Sequence, residues 1–204
     1  MGTYLNPGCN SFEEELNSQI YVDKTGMISY VNSVVNTKQK FMSISRPRRF
    51  GKSYAADMLC AYYSKSDVAR QARSLFSDRK IAEYTDWDKY LGKFNVIRLV
   101  MTDFLKRGKT INECLDRMQK LVIRDIKKEY PEAELFDEDD LIQVMSDIYA
   151  DYDIKFVIVI DEWDAVFRER KEAEEEQKEY LDFLRDWLKG KDYIALAYMT
   201  GILP

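Results

Sequence analysis

Residues 40–53 read KFMSISRPRRFGKS, and this stretch decides the fold. Its first six residues predict a short apolar strand, which is stopped by Pro47. From Lys52 onward, apolar residues at helical spacing predict a helix that reaches about Ser64. A strand that runs into this loop and a helix that leaves it would aim backbone N–H groups at a phosphate, at the positive end of the helix.

The loop at residues 46–53 carries the second half of the phosphate-binding pattern GxxxxGK[ST]. Gly51 lets the backbone approach phosphates closely, Lys52 reaches the β- and γ-phosphate oxygens, and the Ser53 hydroxyl ligates Mg²⁺. Arg46 stands where the pattern has its first glycine. The alternative interpretation of this segment is a turn with an ordinary exposed lysine.

A second motif follows the most apolar strand of the chain, residues 155–160, which ends in Asp161 and Glu162. A strand that is apolar on both faces is typical of the centre of a parallel sheet. Open α/β sheets bind ligands at the carboxyl ends of their strands. Asp161 would hold Mg²⁺ through its water shell, and Glu162 would polarise the attacking water. Two exposed acids after a strand are the alternative.

A last strand, residues 193–199, places the Thr200 hydroxyl where additional-strand ATPases carry a polar residue beside the γ-phosphate, although a threonine at a strand end is also typical of a turn. We expect Lys52 and Glu162 to be catalytic, and Ser53 and Asp161 to bind the metal. The residues expected to bind the nucleotide are Arg48, Arg49, Phe50, Gly51, Lys52, Ser53, Tyr54, Asp161 and Thr200.

The other elements interleave helices with strands. Residues 95–104 predict a strand, 65–93 predict short helices, and 168–189 predict one helix with Tyr180, Leu181, Leu184 and Leu188 inward. The remaining predicted helices cover a Ser11-capped segment from residue 11, then 27–35, 111–130 and a segment ending at about 149. Four strands among these helices predict an α/β fold of three layers, with a mainly parallel sheet.

Composition excludes several classes of function. The net charge is −5, so bulk electrostatics give no argument for binding to nucleic acid or membranes. The N-terminus lacks a signal-peptide pattern, and no uncharged apolar run approaches the ~20 residues of a membrane helix. With no histidine, Cys/His zinc sites and histidine triads are excluded, and we expect the three cysteines to be reduced and mostly buried. We expect a cytoplasmic protein.

Four segments together resemble the bacterial AAA-ATPase-like family, in which an ATPase domain typically precedes a PD-(D/E)xK nuclease-like domain. They are residues 21–25 (YVDKT), 46–53 (RPRRFGKS), 160–164 (IDEWD) and 199–204 (MTGILP). The family shares the arginine at the first glycine position, whereas Trp163 stands where it usually has tyrosine. The resemblance implies ATP and Mg²⁺ as ligands, and it implies that Asp23, Lys24 and Thr25 lie near the nucleotide.

The resemblance also predicts how the domain is divided. Residues 10–37 would form an N-terminal segment near the nucleotide, and 38–204 a nucleotide-binding core of the additional-strand type. That type has five core strands, so we expect a fragment whose last core strand and nuclease-like domain, with any nucleic-acid partner, follow Pro204. A degenerate stand-alone domain is the alternative. Formation of a homo-oligomer is left open.

Four functions are compatible with these motifs to different degrees. The favoured one is a switch or motor module that binds ATP and hydrolyses it, weakly in this fragment. The second is a nucleotide-binding interaction module without hydrolysis. A small-molecule kinase is disfavoured by Glu162, because such kinases usually lack an acid directly after the metal-binding aspartate. Nuclease activity within these residues would rest on acid-x-Lys triplets that a chain so rich in charge produces freely.

Overall fold

The computed structural model describes residues 2–65 and 69–202. Three residues of the predicted short-helix region (66–68) and the last two of the MTGILP segment lie outside the described residues. The strands are β1 (Phe41–Ser45), β2 (Asn95–Val100), β3 (Phe156–Asp161) and β4 (Ile194–Gly201). The helices are α1 (Asn10–Leu16), α2 (Met27–Val34), α3 (Lys52–Tyr63), α4 (Ala69–Phe76), α5 (Met101–Leu105), α6 (Ile111–Glu129), α7 (Leu141–Tyr152), α8 (Ala165–Glu169) and α9 (Glu174–Leu188).

The four strands of the described chain form one sheet in the order β1-β4-β3-β2, and every pairing is parallel. Ile158 lies opposite Ile97 on one side and Ala197 on the other, so β3 has a partner strand along both edges. Every residue of β3 is buried. The prediction of an α/β fold with a parallel sheet is confirmed, and the strand predicted at residues 155–160 lies in the interior of that sheet as Phe156–Asp161, one residue later.

Helices cover both faces of the sheet. Because successive side chains of a strand point to opposite faces, alternate residues of β3 pack into two different cores. Val157 and Val159 of β3 belong to a core shared with helices α2 and α3. Phe156, Ile158 and Ile160 belong to a second core, built mainly with α6, α7 and α9. The sheet is therefore the middle of three layers.

The strand predicted at residues 95–104 is shorter than expected, and the second half of that prediction is wrong. β2 ends at Val100, opposite Asp161, which is the last residue of β3. Beyond this point β3 has no residue left to pair with β2. The chain turns into α5, which buries Met101, Phe104 and Leu105. These three residues follow the i, i+3, i+4 spacing of one helical face, which explains the change of structure.

The single helix predicted at residues 168–189 is also wrong, because α8 ends at Glu169 and α9 begins at Glu174. Arg170 lies in the break, where its guanidinium donates to the carbonyls of Gly108 and Lys109. Leu181, predicted to face inward, is 44% exposed, while Trp187 is fully buried. Leu181 lies at the margin of the apolar face that Tyr180, Leu184 and Leu188 share with Trp187.

Two smaller predictions can be compared with the structure as well. Helix α1 begins at Asn10 rather than after Ser11, and its N-cap residue, Cys9, makes no side-chain capping bond. Cys9, Cys60 and Cys114 are all buried and free, as expected. No helix in the described part of the chain is both long and apolar enough to cross a membrane.

Parallel pairing brings the carboxyl ends of β1, β3 and β4 to the same edge of the sheet. The loop after β1 is held to β4 by a hydrogen bond from Arg46 N to the carbonyl of Gly201, at 3.2 Å. Asp161 ends β3, and Thr200 lies near the end of β4. The sheet therefore places the predicted loop, the acid pair and the threonine next to one another.

The central strand should dominate the stability of the fold. We expect Ile158→Ala to lower the free energy of unfolding by about 2–5 kcal/mol, because it leaves a cavity in a fully buried layer. Phe41→Ala, on the exposed edge strand β1, should cost less than half as much. Urea denaturation of both variants checks this, and equal losses would contradict a core centred on β3.

Candidate functional site

A cavity of about 750 Å³ opens at the carboxyl edge of the sheet. Residues 48–55 form one wall of this cavity, and Asp161 and Glu162 form another. Eight of the nine residues predicted to bind the nucleotide therefore line one space. Thr200, the ninth, is fully buried behind it and donates a hydrogen bond to Asp161 Oδ1.

The loop that precedes α3 has an unusual backbone. Arg49 has φ +67° and Gly51 has φ +71°, both in the left-handed region. Glycine adopts this backbone conformation freely, whereas a residue with a side chain, such as Arg49, adopts it only rarely. Gly51 is the N-cap of α3 and makes no side-chain cap. The N-terminus of α3, which is the positive end of the helix, therefore lies at the cavity, and its cap residue offers no side-chain acceptor to the first N–H groups.

Lys52 lies in the same wall and contacts the loop itself. Its ammonium donates to the carbonyl of Arg46 at 2.7 Å and to that of Pro47 at 2.8 Å. Lys24, from the segment before α2, donates to the carbonyl of Phe50 at 3.2 Å. Two lysines from distant parts of the chain are therefore fastened to one loop, and both line the cavity.

The carboxylate of Asp161 is nearly buried and receives four hydrogen bonds. Ser53 Oγ donates to Oδ2 at 2.6 Å, Arg98 Nη2 donates to Oδ2 at 3.3 Å, and Thr200 Oγ1 and the Glu162 N–H donate to Oδ1. Burial opposes the charge, but the bonds from Ser53 and Thr200 and the Arg98 guanidinium outweigh it, and the pKa of Asp161 is lowered. Asp161 is thus an ionised acceptor at neutral pH.

Glu162 adopts φ +53°, another left-handed conformation at the edge of the cavity. The turn that contains it is tied to the neighbouring strand by the Trp163 N–H, which donates to the carbonyl of Thr200 at 3.0 Å. The Glu162 carboxylate lies 3.7 Å from Arg168 Nη2, and Asp164 lies 3.5 Å from the same nitrogen. The second acid therefore faces the cavity while paired with an arginine from α8.

The side-chain oxygens at this edge fit a magnesium ion that takes only some of its ligands from the protein. In the described residues no group of three or more acidic or cysteine side chains could enclose a metal. Mg²⁺ usually keeps several waters and takes one or two protein ligands together with substrate phosphates. Ser53 and Asp161, in contact at 2.6 Å, supply a hydroxyl and a carboxylate of that kind.

Arg98 of β2 is a site residue that the motifs did not reveal. Its guanidinium donates to Asp57 Oδ1 at 3.1 Å and to the carbonyl of Leu99 at 2.9 Å, in addition to Asp161. An arginine in the middle of an apolar strand was the signal in the sequence, because charged residues are almost never buried unless they are paired.

The N-terminal segment contributes more to the site than its sequence showed. The Asp23 carboxylate accepts from the Thr25 N–H and hydroxyl and from the Lys80 N–H, and Thr25 is fully buried. These contacts fix the backbone on both sides of Lys24, which faces the cavity. Glu15 of α1 also lines the cavity and is only 9% exposed. Nothing in the local pattern distinguished Glu15 from Glu13 and Glu14.

Burial gives Glu15 an unusual titration. Desolvation, with the nearby charge of Asp57, raises its pKa from an ordinary 4.5 to about 8. Between these values the folded protein retains a proton that the unfolded chain has lost, so this group lowers the stability as the pH rises.

We expect Glu15→Gln to remove that pH dependence. The melting temperature of Glu15→Gln minus that of the unmodified protein should increase steadily from pH 4.5 to pH 8. In the unmodified protein, rising pH favours the unfolded state, in which Glu15 ionises readily, whereas glutamine does not titrate. Thermal denaturation across this range measures the difference. The exposed neighbour Glu14→Gln is the control. A difference between Glu15→Gln and the unmodified protein that does not change with pH would contradict the shifted pKa.

Comparison with known proteins gave one match. The model of the AAA-ATPase-like family, described as predicted AAA-ATPase, matches residues 7–204. This range contains the loop at residues 46–53, the acid pair and the segment that carries Lys24. No curated protein and no solved structure matches the chain.

Proposed function

The chain belongs to the AAA-ATPase-like family, and we propose that it binds ATP with Mg²⁺ and hydrolyses the nucleotide. The observation that carries this proposal is the 2.6 Å hydrogen bond from Ser53 Oγ to Asp161 Oδ2. These residues are 108 positions apart and belong to two different motifs, yet they meet at one cavity. A phosphate loop and a metal-binding acid serve one reaction only when they are adjacent.

The cationic groups that line the cavity suit a polyphosphate. The N-terminus of α3 directs its dipole there, and such helix ends favour anions. Arg48, Arg49, Lys52 and Lys24 add four cationic side chains to the wall. Together these groups support the assignment of residues 48–54 to nucleotide binding.

Apolar and aromatic residues that line the same cavity suit a nucleobase. They are Phe12, Ile20, Tyr21, Val22, Tyr54 and Met58. Ile20 is 85% exposed and Val22 is 66% exposed, so part of this apolar surface is open for a ligand to cover. A cavity lined by both cationic and apolar side chains matches a nucleoside triphosphate better than a simple anion.

The strand order supports the additional-strand type of nucleotide-binding sheet. β1 runs into the phosphate loop and β3 into the acid pair, and β4 lies between them in the sheet. An inserted strand between these two is the feature that defines this type. We therefore include this sheet type in the proposal. The further core strand and the nuclease-like domain stay expectations from the resemblance.

The roles of the side chains follow from where they lie. On nucleotide binding, the Lys52 ammonium would leave the carbonyls of Arg46 and Pro47 and contact phosphate oxygens instead. The Ser53 hydroxyl would leave Asp161 and bind the metal. Bound Mg²⁺ would neutralise charge on the phosphates during transfer. Thr200 and the backbone N–H of Glu162 would keep the Asp161 carboxylate in place, and the Glu162 side chain would polarise the attacking water.

A nucleotide-binding module without hydrolysis is the second candidate, and one observation favours it. The Glu162 carboxylate, which hydrolysis would use, forms an ion pair with Arg168. If that pair persists with nucleotide bound, the carboxylate is not free to act on water. The two candidates agree on binding and differ only in turnover.

Nucleotide binding is tested by thermal stability. We expect Mg-ATP at a hundredfold excess over Kd to stabilise the folded protein by about 2.7 kcal/mol. Lys52→Ala should abolish the shift in melting temperature, because the phosphates lose their principal cation. Lys38→Ala removes an exposed lysine before β1 and should leave the shift unchanged. Equal shifts in all three proteins would refute the phosphate-loop assignment.

Hydrolysis is tested by Glu162→Gln. This change should preserve the thermal shift with ATP but lower the rate of phosphate release at least ~10²-fold, the usual scale for loss of a general base. Glu169→Gln, an exposed acid on α8, is the matched control. Binding with no measurable turnover in the unmodified protein would favour the second candidate. Unchanged turnover in Glu162→Gln would show that Glu162 is only a surface acid.

A further inference from the structure

Arg98, which is nearly buried, forms an ion pair with the half-buried Asp57, outside both motifs. The Arg98 side chain is 11% exposed, and its Nε donates to Asp57 Oδ1 at 3.1 Å. Burial of such a charge is unfavourable unless partners compensate it. The guanidinium uses its remaining nitrogens on the carbonyl of Leu99 and on Asp161. One cation is thus shared between two carboxylates.

The two carboxylates are connected through helix α3. Ser53 and Asp57 are four residues apart in this helix, so their side chains lie on the same face. Ser53 donates to Asp161, Arg98 donates to both Asp161 and Asp57, and one turn of α3 joins Asp57 back to Ser53. The closed ring ties the helix of the phosphate loop to the acid at the end of β3.

Sharing limits how strongly Arg98 holds Asp161. With its Nε directed to Asp57, the guanidinium reaches Asp161 through one nitrogen, at 3.3 Å, which is longer than the 2.6 Å bond from Ser53. A guanidinium without its second acid would be free to take the Asp161 carboxylate through two nitrogens, the arrangement that arginine favours. A carboxylate neutralised in that way is a poor partner for another cation.

We propose that Asp57 is a positioning residue that draws Arg98 aside and so keeps the Asp161 carboxylate available to Mg²⁺. The inference rests on the proposed function, because it concerns the metal that accompanies ATP. It goes further by assigning control of the Mg²⁺ dependence to a pair of residues outside both motifs. Asp57 does not line the cavity, so its effect passes through Arg98.

The test is the affinity for ATP, measured by calorimetry with excess EDTA and across a series of Mg²⁺ concentrations. Asp57→Asn should leave the affinity in EDTA within about twofold of the unmodified protein, and should reduce the gain in affinity produced by Mg²⁺ by about tenfold, a typical coupling between two ligands. Asp116→Asn, an exposed aspartate on α6, makes the same chemical change outside the site and should alter neither value.

A double variant tests the proposed competition for Asp161. Asp57→Asn with Arg98→Met removes the cation together with its partner, which is often tolerated where loss of one partner is not. Because nothing then competes for Asp161, the double variant should regain the Mg²⁺ effect to within about threefold of the unmodified protein. A purely structural role would instead change the affinity in EDTA and the affinity in Mg²⁺ by the same factor in Asp57→Asn. If Asp57→Asn alone fails to fold, a Mg²⁺ effect weaker by about tenfold in the double variant still refutes the competition.

Three results would overturn the inference: a loss of equal size with and without Mg²⁺, no loss in Asp57→Asn, or no recovery in the double variant. Failure of the proposed function is distinguishable from these. In that case the unmodified protein binds no ATP at all, or Lys52→Ala binds it as well as the unmodified protein does. If Lys52→Ala abolishes binding while Asp57→Asn retains the full Mg²⁺ effect, only the role of Asp57 is refuted.

Discussion

The carboxylate of Asp161 is the constraint on which the site depends. A buried charge is tolerated only when hydrogen bonds and opposite charge replace the water it has lost. Asp161 receives its donors from three other elements: Ser53 from α3, Arg98 from β2 and Thr200 from β4. The need to satisfy one acid therefore ties helix α3 to three strands of the sheet.

The parallel sheet makes this convergence possible. Parallel strands end at a common edge, and β3 is apolar until its final residue, so its burial between two cores does not expose a polar side chain to either of them. β4 lies between β1 and β3 and brings the threonine behind the acid. The apolar layers thus supply the stability, and the polar groups of the site are confined to the ends of the strands.

Two residues with strained backbones line the same cavity. Arg49 and Glu162 are both non-glycine residues in left-handed conformations. Such conformations persist only where surrounding contacts over-determine them. The bond from Trp163 to Thr200 holds the turn at Glu162, while Lys24 and Lys52 hold carbonyls of the loop around Arg49. The N-terminal segment is therefore part of the site rather than a preceding appendage.

The sequence by itself determined the parts of this protein that short patterns encode: the apolar strands, the loop at residues 46–53, the acids after β3 and the exclusion of histidine chemistry. Only the tertiary structure decided where β2 ends, because that depends on the length of β3, and where the helix breaks near Arg170, because that depends on carbonyls at residues 108–109. The same holds for Arg168 and Glu15. Each acquires its role from a partner or from burial that packing of the folded chain supplies, and the local sequence around it is compatible with an ordinary solvated side chain. For Arg98 the apolar strand around it, and for Lys24 the family resemblance, gave a signal in the sequence, but only the folded chain supplies their partners.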